Sequence, residues 1–215
     1  MNNLKNLKLE LKKKTDKNPE KYYPTSVLEN LGFNRSTCKK CKTKYWSVKK
    51  RTTCGEPECN DGYSFINNSP TKSKLSYIET WKKYSKHMKK LGYTPIKRYP
   101  VVARWRDDTW FTQASIYCFQ PYVVSGQVKP PANPLVMSQP SLRFNDIDNV
   151  GITGRHYSTH FHLGQHAFVS KEEYDQEKYL SDIISWIKDG AKIPLEEVQF
   201  HEDQWGGGGN LGTSL

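Results

Sequence analysis

Residues 133–168 decide the fold, and their sequence is NPLVMSQPSLRFNDIDNVGITGRHYSTHFHLGQHAF. The apolar run at 135–137 predicts a short buried strand. Gly151 and Gly154 permit a reversal of the chain, so the pattern predicts a long antiparallel hairpin. We expect Arg143 to lie near its mouth and to point at a ligand. The residues of this stretch that recognise charge are Arg143, Asn145, Asp146, Asp148, Asn149, Arg155 and His156.

The charge of the chain is unevenly distributed. The 215 residues carry a formal net charge of +11. Residues 1–98 hold 24 Lys and Arg against 8 Asp and Glu, a balance of +16, whereas residues 99–215 hold 9 against 14, a balance of −5. Such segregation favours a polyanionic partner for the basic part, and RNA fits best. The alternative is a lysine-decorated surface without a ligand.

The sequence contains no recognisable secretory or membrane-spanning signal. The sequence has neither an apolar run of about eighteen residues nor the apolar block of a secretory signal, which predicts a cytoplasmic protein without a membrane partner. The basic leader at 1–34 has few apolar side chains to bury in its first part, so we expect that part to order on a partner.

Four cysteines follow the leader in two close pairs. Two residues separate Cys38 from Cys41, four separate Cys54 from Cys59, and twelve lie between the pairs. Tetrahedral zinc takes two thiolates from each of two turns, so this spacing predicts a zinc site, and we expect the nearby lysines to stabilise the thiolates. Four thiolates leave no open position, and the predicted zinc is therefore structural. The alternatives are free thiols or two disulfides, and a cytosolic setting disfavours disulfides.

A capping box of Ser76 and Glu79 predicts the start of a helix that Gly92 ends. Five lysines lie opposite its apolar stripe, and that face is either solvated or an RNA contact. The stripe consists of Ile78, Trp81, Tyr84, Met88 and Leu91.

Three further elements are predicted after this helix. Residues 99–105 and 195–200 have the composition of strands, and 171–189 have helical periodicity. The glycines at 206–209 indicate either a flexible tail or a phosphate-facing loop.

Several blocks of the sequence together resemble the N-terminal part of archaeal-type alanyl-tRNA synthetases. They are RYPVVARWRDD, FQPYVVSGQVKPPANPL, the SQP…R…NDIDNVG…GRH segment and the four-cysteine module. The resemblance implies an α+β fold, a partial class II aminoacyl-tRNA synthetase antiparallel sheet flanked by helices and preceded by a small zinc-binding module. It divides the chain into a basic leader (1–34), the zinc module (35–66) and the partial core with motifs 1 and 2 (67–215).

The resemblance also implies a site and a reaction. Arg143 matches the motif-2 arginine that grips the α-phosphate of ATP, a task that suits a planar guanidinium. Asp146 and Asn149 match loop residues that support adenylate formation and tRNA positioning, and Arg155 and His156 match the pair that opens the return strand. The implied reaction is ATP- and Mg-dependent activation of alanine and its transfer to tRNA, with Arg143 and Asp146 as catalytic residues.

The sequence departs from the family in three places. The return strand has His160, Phe161 and His162 where the family has Phe-Glu-Met, so an acidic group is lost. The glycine-rich run continues differently after Gly212, and no segment matches motif 3. We therefore expect activity only with a complementary chain that carries motif 3.

These departures leave two alternatives open. The first is a catalytically inactive synthetase paralogue that binds tRNA or another structured RNA, such as ribosomal RNA. The second is a metal site formed by His160, His162 and His166, because alternate residues of a strand share a face.

Overall fold

A computed structural model describes residues 2–62, 68–71, 73–144, 147–150, 158–207 and 210–215. Its helices are α1 (Asn2–Lys17), α2 (Thr25–Asn30), α3 (Pro57–Asn60), α4 (Tyr77–Lys90) and α5 (Gln176–Ser185). Its strands are β1 (Asn34–Thr37), β2 (Lys44–Ser47), β3 (Thr94–Pro95), β4 (Leu135–Leu142), β5 (Thr159–His166), β6 (Gln199–His201), β7 (Asp203–Gly207) and β8 (Asn210–Ser214). The predicted α+β class, with antiparallel sheets and helices, is confirmed.

Contacts within the chain define two units. The first comprises Met1–Lys74 with Asp175–Leu215, and the second comprises Leu75–Tyr174. The predicted division after residues 34 and 66 stays a prediction. Among the residues that the structure describes, none of the helices combines the length and apolarity that a membrane-spanning segment needs.

The centre of the second unit is the antiparallel pair β4–β5. Its register runs from the pair Leu135–His166 to the pair Leu142–Thr159, so the predicted hairpin is confirmed. The short strand β3 lies parallel to the start of β4. The predicted reversal at Gly151 and Gly154 lies outside the described residues.

Helix α4 packs on one face of this hairpin. The ring of Tyr77 stacks on Phe161 with centroids 3.7 Å apart, and its hydroxyl lies 2.6 Å from Ser138 Oγ. The predicted capping box is confirmed, because the Ser76 hydroxyl accepts from the Glu79 N–H and the Ser76 N–H donates to the Glu79 carboxylate.

The apolar stripe of α4 is only partly confirmed. Tyr84 and Met88 are fully buried, as predicted. Ile78, however, is 60% exposed, because its neighbour Tyr77 contacts the hairpin in its place. Gly92 has a φ of +93°, which suits the predicted end of the helix.

The predicted strand at 99–105 is wrong. Val102 forms an isolated bridge with Phe111, and no strand is present at these residues. Pro100 lacks an N–H, and the buried Gln139 side chain bonds to the backbone of Tyr99 on both sides. Its Oε1 accepts from the Tyr99 N–H at 2.8 Å, and its Nε2 donates to the Tyr99 carbonyl at 3.1 Å. A side-chain amide therefore satisfies groups that strand pairing would otherwise satisfy.

The first unit contains the antiparallel sheet β1–β2–β6 and the hairpin β7–β8. Strand β6 pairs with β2 although about 150 residues of sequence separate them. Phe33 and Phe200 meet edge to face in the core, with centroids 5.2 Å apart. The buried residues of this core are Leu28, Phe33, Trp46, Ile184 and Phe200.

The leader forms helix α1 and contacts the first unit itself. Thr15 is fully buried, and its hydroxyl accepts from Gln204 Nε2 at 3.3 Å. At Gly206 an added Cβ would lie 2.9 Å from Lys8 Cε, so side chains of α1 lie close over β7 at this position. The glycines at 206–209 are one basis for predicting a flexible tail. That prediction is wrong for the described residues of this segment, because they pair as the strands β7 and β8. Gly208 and Gly209 lie outside the described residues.

Two predicted elements near the end of the chain begin later than expected. Helix α5 starts after Asp175, whose carboxylate accepts from the Lys178 N–H, and it continues into a π-helical turn at Trp186–Gly190. Residues 195–200 begin with a 3-10 turn, Leu195–Glu197, and only Gln199 and Phe200 belong to a strand.

A buried carboxylate ties the strands of the first unit together. Glu202 is 2% exposed and accepts hydrogen bonds from Arg35 Nε and Nη2, both at 2.6 Å, and from Trp46 Nε1 at 2.8 Å. Arg35 lies on β1, Trp46 lies on β2, and Glu202 lies between β6 and β7. The carboxylate thus joins segments that local sequence does not bring together.

We expect Glu202→Ala to destabilise the chain by about 3 kcal/mol, because it leaves the Arg35 charge and the Trp46 N–H without their acceptor. The measurement is the free energy of urea unfolding. Glu197→Ala is the control, since it removes an acid that pairs with Lys49 at the surface and should cost less than about 1 kcal/mol. Equal losses for the two variants would contradict the role assigned to Glu202.

Candidate functional site

Arg143 lies directly beyond the end of β4, where the hairpin opens. Its backbone N–H donates to the Ser158 carbonyl at 2.8 Å, which extends the β4–β5 ladder by one residue. Its side chain is exposed, and Nε donates to the Gln113 carbonyl at 3.0 Å. The guanidinium therefore stands at the mouth of the hairpin, as predicted, with one edge fixed by a main-chain acceptor.

Three histidines of β5 lie beyond Arg143 along the same face. His160 is paired with Ser141, His162 with Gln139 and His166 with Leu135. The rings of His160 and His162 have centroids 4.6 Å apart. We call this row of imidazoles, His160, His162 and His166, the histidine row.

The far end of the histidine row is held by the 3-10 turn Ser115–Cys118 and the residue after it. His166 Nε2 lies 2.9 Å from Ser115 Oγ, and its ring meets Phe119 edge to face at 4.9 Å. An added Cβ at Gly164 would lie 2.7 Å from Ser115 Oγ, so this glycine allows the turn to approach the strand.

The surroundings of the histidine row favour neutral imidazoles. Burial lowers the pKa of His162 to about 4, and the charges of His160 and Arg143 act in the same direction. Burial also lowers the pKa of His166 to about 4, with a contribution from His162. The pKa of His160 is lowered by burial and by Arg143. At neutral pH the row is therefore uncharged, and Arg143 supplies positive charge beside it.

Protonation of the row should destabilise the second unit. The folded pKa of His166 lies below its ordinary value of 6.5, so its contribution to stability is fully present above pH 6.5 and is lost as the pH falls towards 4. At pH 5 the loss from His166 is about 2 kcal/mol.

The check is urea unfolding at pH 7 and pH 5 for the parent chain and for His166→Gln. We expect the variant to lose about 2 kcal/mol less on acidification. His87→Gln is the matched control, because His87 lies on α4 outside the row. An unchanged pH dependence in His166→Gln would show that His166 is not held neutral.

Most other residues predicted for this site lie outside the described part of the chain. These are Asp146, Arg155 and His156, together with Asn145. Asn149 ends the 3-10 turn Ile147–Asn149, but its side chain is not described. Their roles therefore stay predictions. No sequence signal points to Gln113, because it acts through its backbone carbonyl, which every residue possesses.

The four cysteines form a cluster in the first unit. The Sγ atoms of Cys38, Cys41, Cys54 and Cys59 all lie within 4.8 Å of one another, and those of Cys41 and Cys54 are 3.7 Å apart. This donor set suits a tetrahedral ion such as zinc. No other group of three or more His, Cys, Asp or Glu side chains gathers this way in the described ranges. The hypothesis of a metal site at the histidine row is therefore not supported.

Local geometry explains how the cluster forms. Cys38 and Cys41 lie in the turn between β1 and β2, where the Cys38 N–H donates to the Thr43 carbonyl. Gly55 follows Cys54 with a φ of +89°, and an added Cβ would lie 1.7 Å from Gln199 Oε1. From β6, His201 Nε2 donates to the Cys54 carbonyl at 2.6 Å.

Backbone amides rather than lysines favour the thiolate form of Cys38. Burial raises the pKa of Cys38, but N–H groups of Cys41, Cys54 and Lys40 outweigh it and bring the pKa to about 6. The Thr43 hydroxyl lowers the pKa of Cys41. Burial raises the pKa of Cys54 and of Cys59. A bound dication would supply the charge that keeps all four sulfurs deprotonated.

Two of the nearby lysines bind other groups instead of the thiolates. Lys42 Nζ donates to the Lys39 carbonyl, and Lys44 Nζ donates to Thr37 Oγ1, each at 2.7 Å.

We expect the chain to bind one metal ion per molecule, with Cys54→Ser abolishing tight binding because it removes one of four thiolates. The measurement is metal content by mass spectrometry, together with the visible absorption of the Co²⁺-loaded chain. Cys118→Ser is the matched control, since it makes the same chemical change at a cysteine outside the cluster. Loss of metal in both variants would argue against the cluster as the site.

Comparison with known proteins gives a consistent assignment. The family model described as tRNA synthetases class II (A) matches residues 79–209. An alanine–tRNA ligase of Methanocella arvoryzae is 46% identical over 213 residues, which are 98% of this chain and 24% of that protein. Alanine–tRNA ligases of Methanothermobacter thermautotrophicus and Cenarchaeum symbiosum are 46% and 40% identical, over 86% and 97% of this chain and 21% and 23% of those proteins.

The chain therefore spans about a quarter of the length of the curated relatives that it matches. The family model covers more than half of the chain and includes the β4–β5 hairpin with Arg143. The resemblance predicted from the sequence blocks is confirmed, and the chain belongs to the family of class II tRNA synthetases whose alanine–tRNA ligases it resembles.

Proposed function

We propose that the chain is part of an alanine–tRNA ligase and contributes to ATP-dependent activation of alanine and its transfer to tRNA. The observation that carries this proposal is the similarity over almost the whole chain to alanine–tRNA ligases. The position of Arg143 at the open end of the β4–β5 hairpin supports it. A cytoplasmic location, where tRNA is charged, belongs to the same proposal.

Arg143 is the proposed ligand of the ATP α-phosphate. Negative charge grows on that phosphate when the alanine carboxylate attacks it, and a fixed guanidinium favours this change. The bond from Nε to the Gln113 carbonyl limits the rotation of the side chain. The neutral histidine row adds no competing charge beside it. Asp146, Asn149, Arg155 and His156 are proposed to complete the site, with Mg²⁺ accompanying the nucleotide.

The proposed metal is zinc, and its proposed role is structural. Four thiolates fill a tetrahedral coordination sphere and leave no place for a substrate. The cluster also draws together the β1–β2 turn, which contributes Cys38 and Cys41, with Cys54 before α3 and Cys59 within it. We propose that sequence corresponding to the rest of an alanine–tRNA ligase, including motif 3, completes the active enzyme, whether in this polypeptide or in a complementary chain, and that tRNA is its macromolecular substrate.

We expect Arg143→Ala to lower alanine-dependent ATP–pyrophosphate exchange by about 10²–10³-fold, because it removes a charged donor to the reacting phosphate. The assay combines this chain with the remaining part of an archaeal alanine–tRNA ligase. Arg104→Ala is the matched control, since Arg104 is another exposed arginine of the second unit. Binding of ATP by the chain, measured by calorimetry, should weaken in Arg143→Ala only.

A second candidate is an inactive paralogue that binds structured RNA. The resemblance implies an acidic residue on β5 where this chain has Phe161, and the absence of that acid favours this candidate. Such a module would bind RNA with steep salt dependence and without regard to Arg143. Exchange activity that vanishes in Arg143→Ala would exclude this candidate. Absence of ATP binding and of exchange, with the complementary part present, would exclude the ligase.

A further inference from the structure

The face of the second unit covered by α4 contains a cavity of about 670 Å³. That volume lies within the range of about 300–1,000 Å³ for sites that hold small ligands. The strand β4 contributes Ser138 to its lining. Side chains alternate between the two faces of a strand, and Arg143 follows Ser138 by an odd number of residues. The cavity therefore lies on the face opposite Arg143. Its lining residues are Tyr77, Ile78, Trp81, Pro95, Ile96, Lys97, Arg98 and Ser138.

Aromatic side chains and cations line the cavity together, and none of its lining residues in the described part of the chain is acidic. Tyr77 and Trp81 provide aromatic rings, and Lys97 and Arg98 are exposed at the segment after β3. Ile78 is 60% exposed at its edge, although the helical pattern predicts it to be buried. An aromatic wall with nearby cations matches a ligand that has both a flat ring and a negative charge.

The outer side of α4 extends the positive charge beyond the cavity. Its five lysines are all exposed. Its one acid, Glu79, is engaged by the backbone and hydroxyl of Ser76 in the capping box, at 2.8 and 2.7 Å. The phosphate backbone of an RNA strand that runs along α4 would therefore contact positively charged side chains of this helix. The lysines are Lys82, Lys83, Lys86, Lys89 and Lys90.

We propose that this cavity, the α4 pocket, binds an unpaired nucleotide of an RNA strand. The base packs against Trp81 and Ile78, its phosphates contact Lys97 and Arg98, and the neighbouring phosphates lie along the lysines of α4. Concave aromatic sites accept bases that are splayed out of a helix, and a duplex cannot present its bases in that way. The site is independent of the ligase reaction, because it lies on the other face of the hairpin from Arg143.

The test is fluorescence anisotropy with a labelled single-stranded RNA and with the same strand annealed to its complement, in the absence of ATP and alanine. We expect the single strand to bind more tightly. Ile78→Glu should weaken its binding by about tenfold, since it replaces an apolar contact to the base with a carboxylate that repels the neighbouring phosphates. This variant keeps the fold because Ile78 is exposed. Val128→Glu is its control, with the same substitution at a residue that is 53% exposed in the same unit.

A second pair of variants tests the phosphate contacts. The double change Lys97→Ala, Arg98→Ala should reduce the slope of log affinity against log salt by about 1.4, at about 0.7 for each phosphate contact of a single strand. The control is Lys129→Ala, Lys171→Ala, which removes the same charge from exposed lysines of the same unit outside the pocket. Arg143→Ala should leave this binding unchanged, so loss of ligase activity and loss of pocket binding are separate results.

Three outcomes would overturn the assignment. Equal losses in the paired variants and their controls would show general attraction without a pocket. Equal affinity for duplex and single strand would remove the role of an unpaired base. Tighter binding of an acidic, aromatic-rich peptide, abolished by Ile78→Glu, would assign the pocket to a protein partner instead.

Discussion

The register of β4 against β5 is the constraint on which the second unit depends. Opposed residues of an antiparallel pair share a face, and a slip of one position would exchange the two faces. In the observed register His162 opposes Gln139 on one face, and Phe161 opposes Pro140 on the other. One face therefore carries the histidine row and leads to Arg143, while the other receives the rings of α4. The separation of the two proposed binding surfaces follows from this backbone pairing.

Local patterns predicted the elements whose signals are contained within a few residues. The Ser76–Glu79 box marks the start of α4 because both partners lie in one helical turn. The cysteine cluster was predictable from spacing, since two turns with thiolate pairs leave few other arrangements. The failed strand prediction at 99–105 has a distant cause. The Gln139 side chain forms hydrogen bonds with the N–H and the carbonyl of Tyr99. The local pattern at 99–105 favours a strand because it contains no information about this distant partner.

The pairing of β6 with β2 lies beyond any local pattern for the same reason. Neither strand is longer than four residues, and a strand this short carries no register information of its own. Glu202 fixes the arrangement by accepting from Arg35 and Trp46 in a buried setting. A buried carboxylate is tolerated only where such donors converge. The sequence shows Glu202 as one acid among many, and its partners become visible only in the folded chain.

Positive charge alone does not distinguish a ligase from an RNA-binding paralogue, because ATP and RNA are both polyanions. Burial keeps the imidazole of His162 uncharged at neutral pH by lowering its pKa to about 4, so the charge beside it on this face comes from Arg143, which would attract either ligand. Geometry is more selective. A phosphate is best bound by a guanidinium of fixed orientation, and the hydrogen bond to the Gln113 carbonyl fixes one edge of Arg143. An unpaired base is best bound by an aromatic surface, and Trp81 offers one on the opposite face. Because the β4–β5 pair keeps Arg143 and the α4 pocket on opposite faces, the proposed nucleotide chemistry and the proposed binding of an RNA strand can be tested separately.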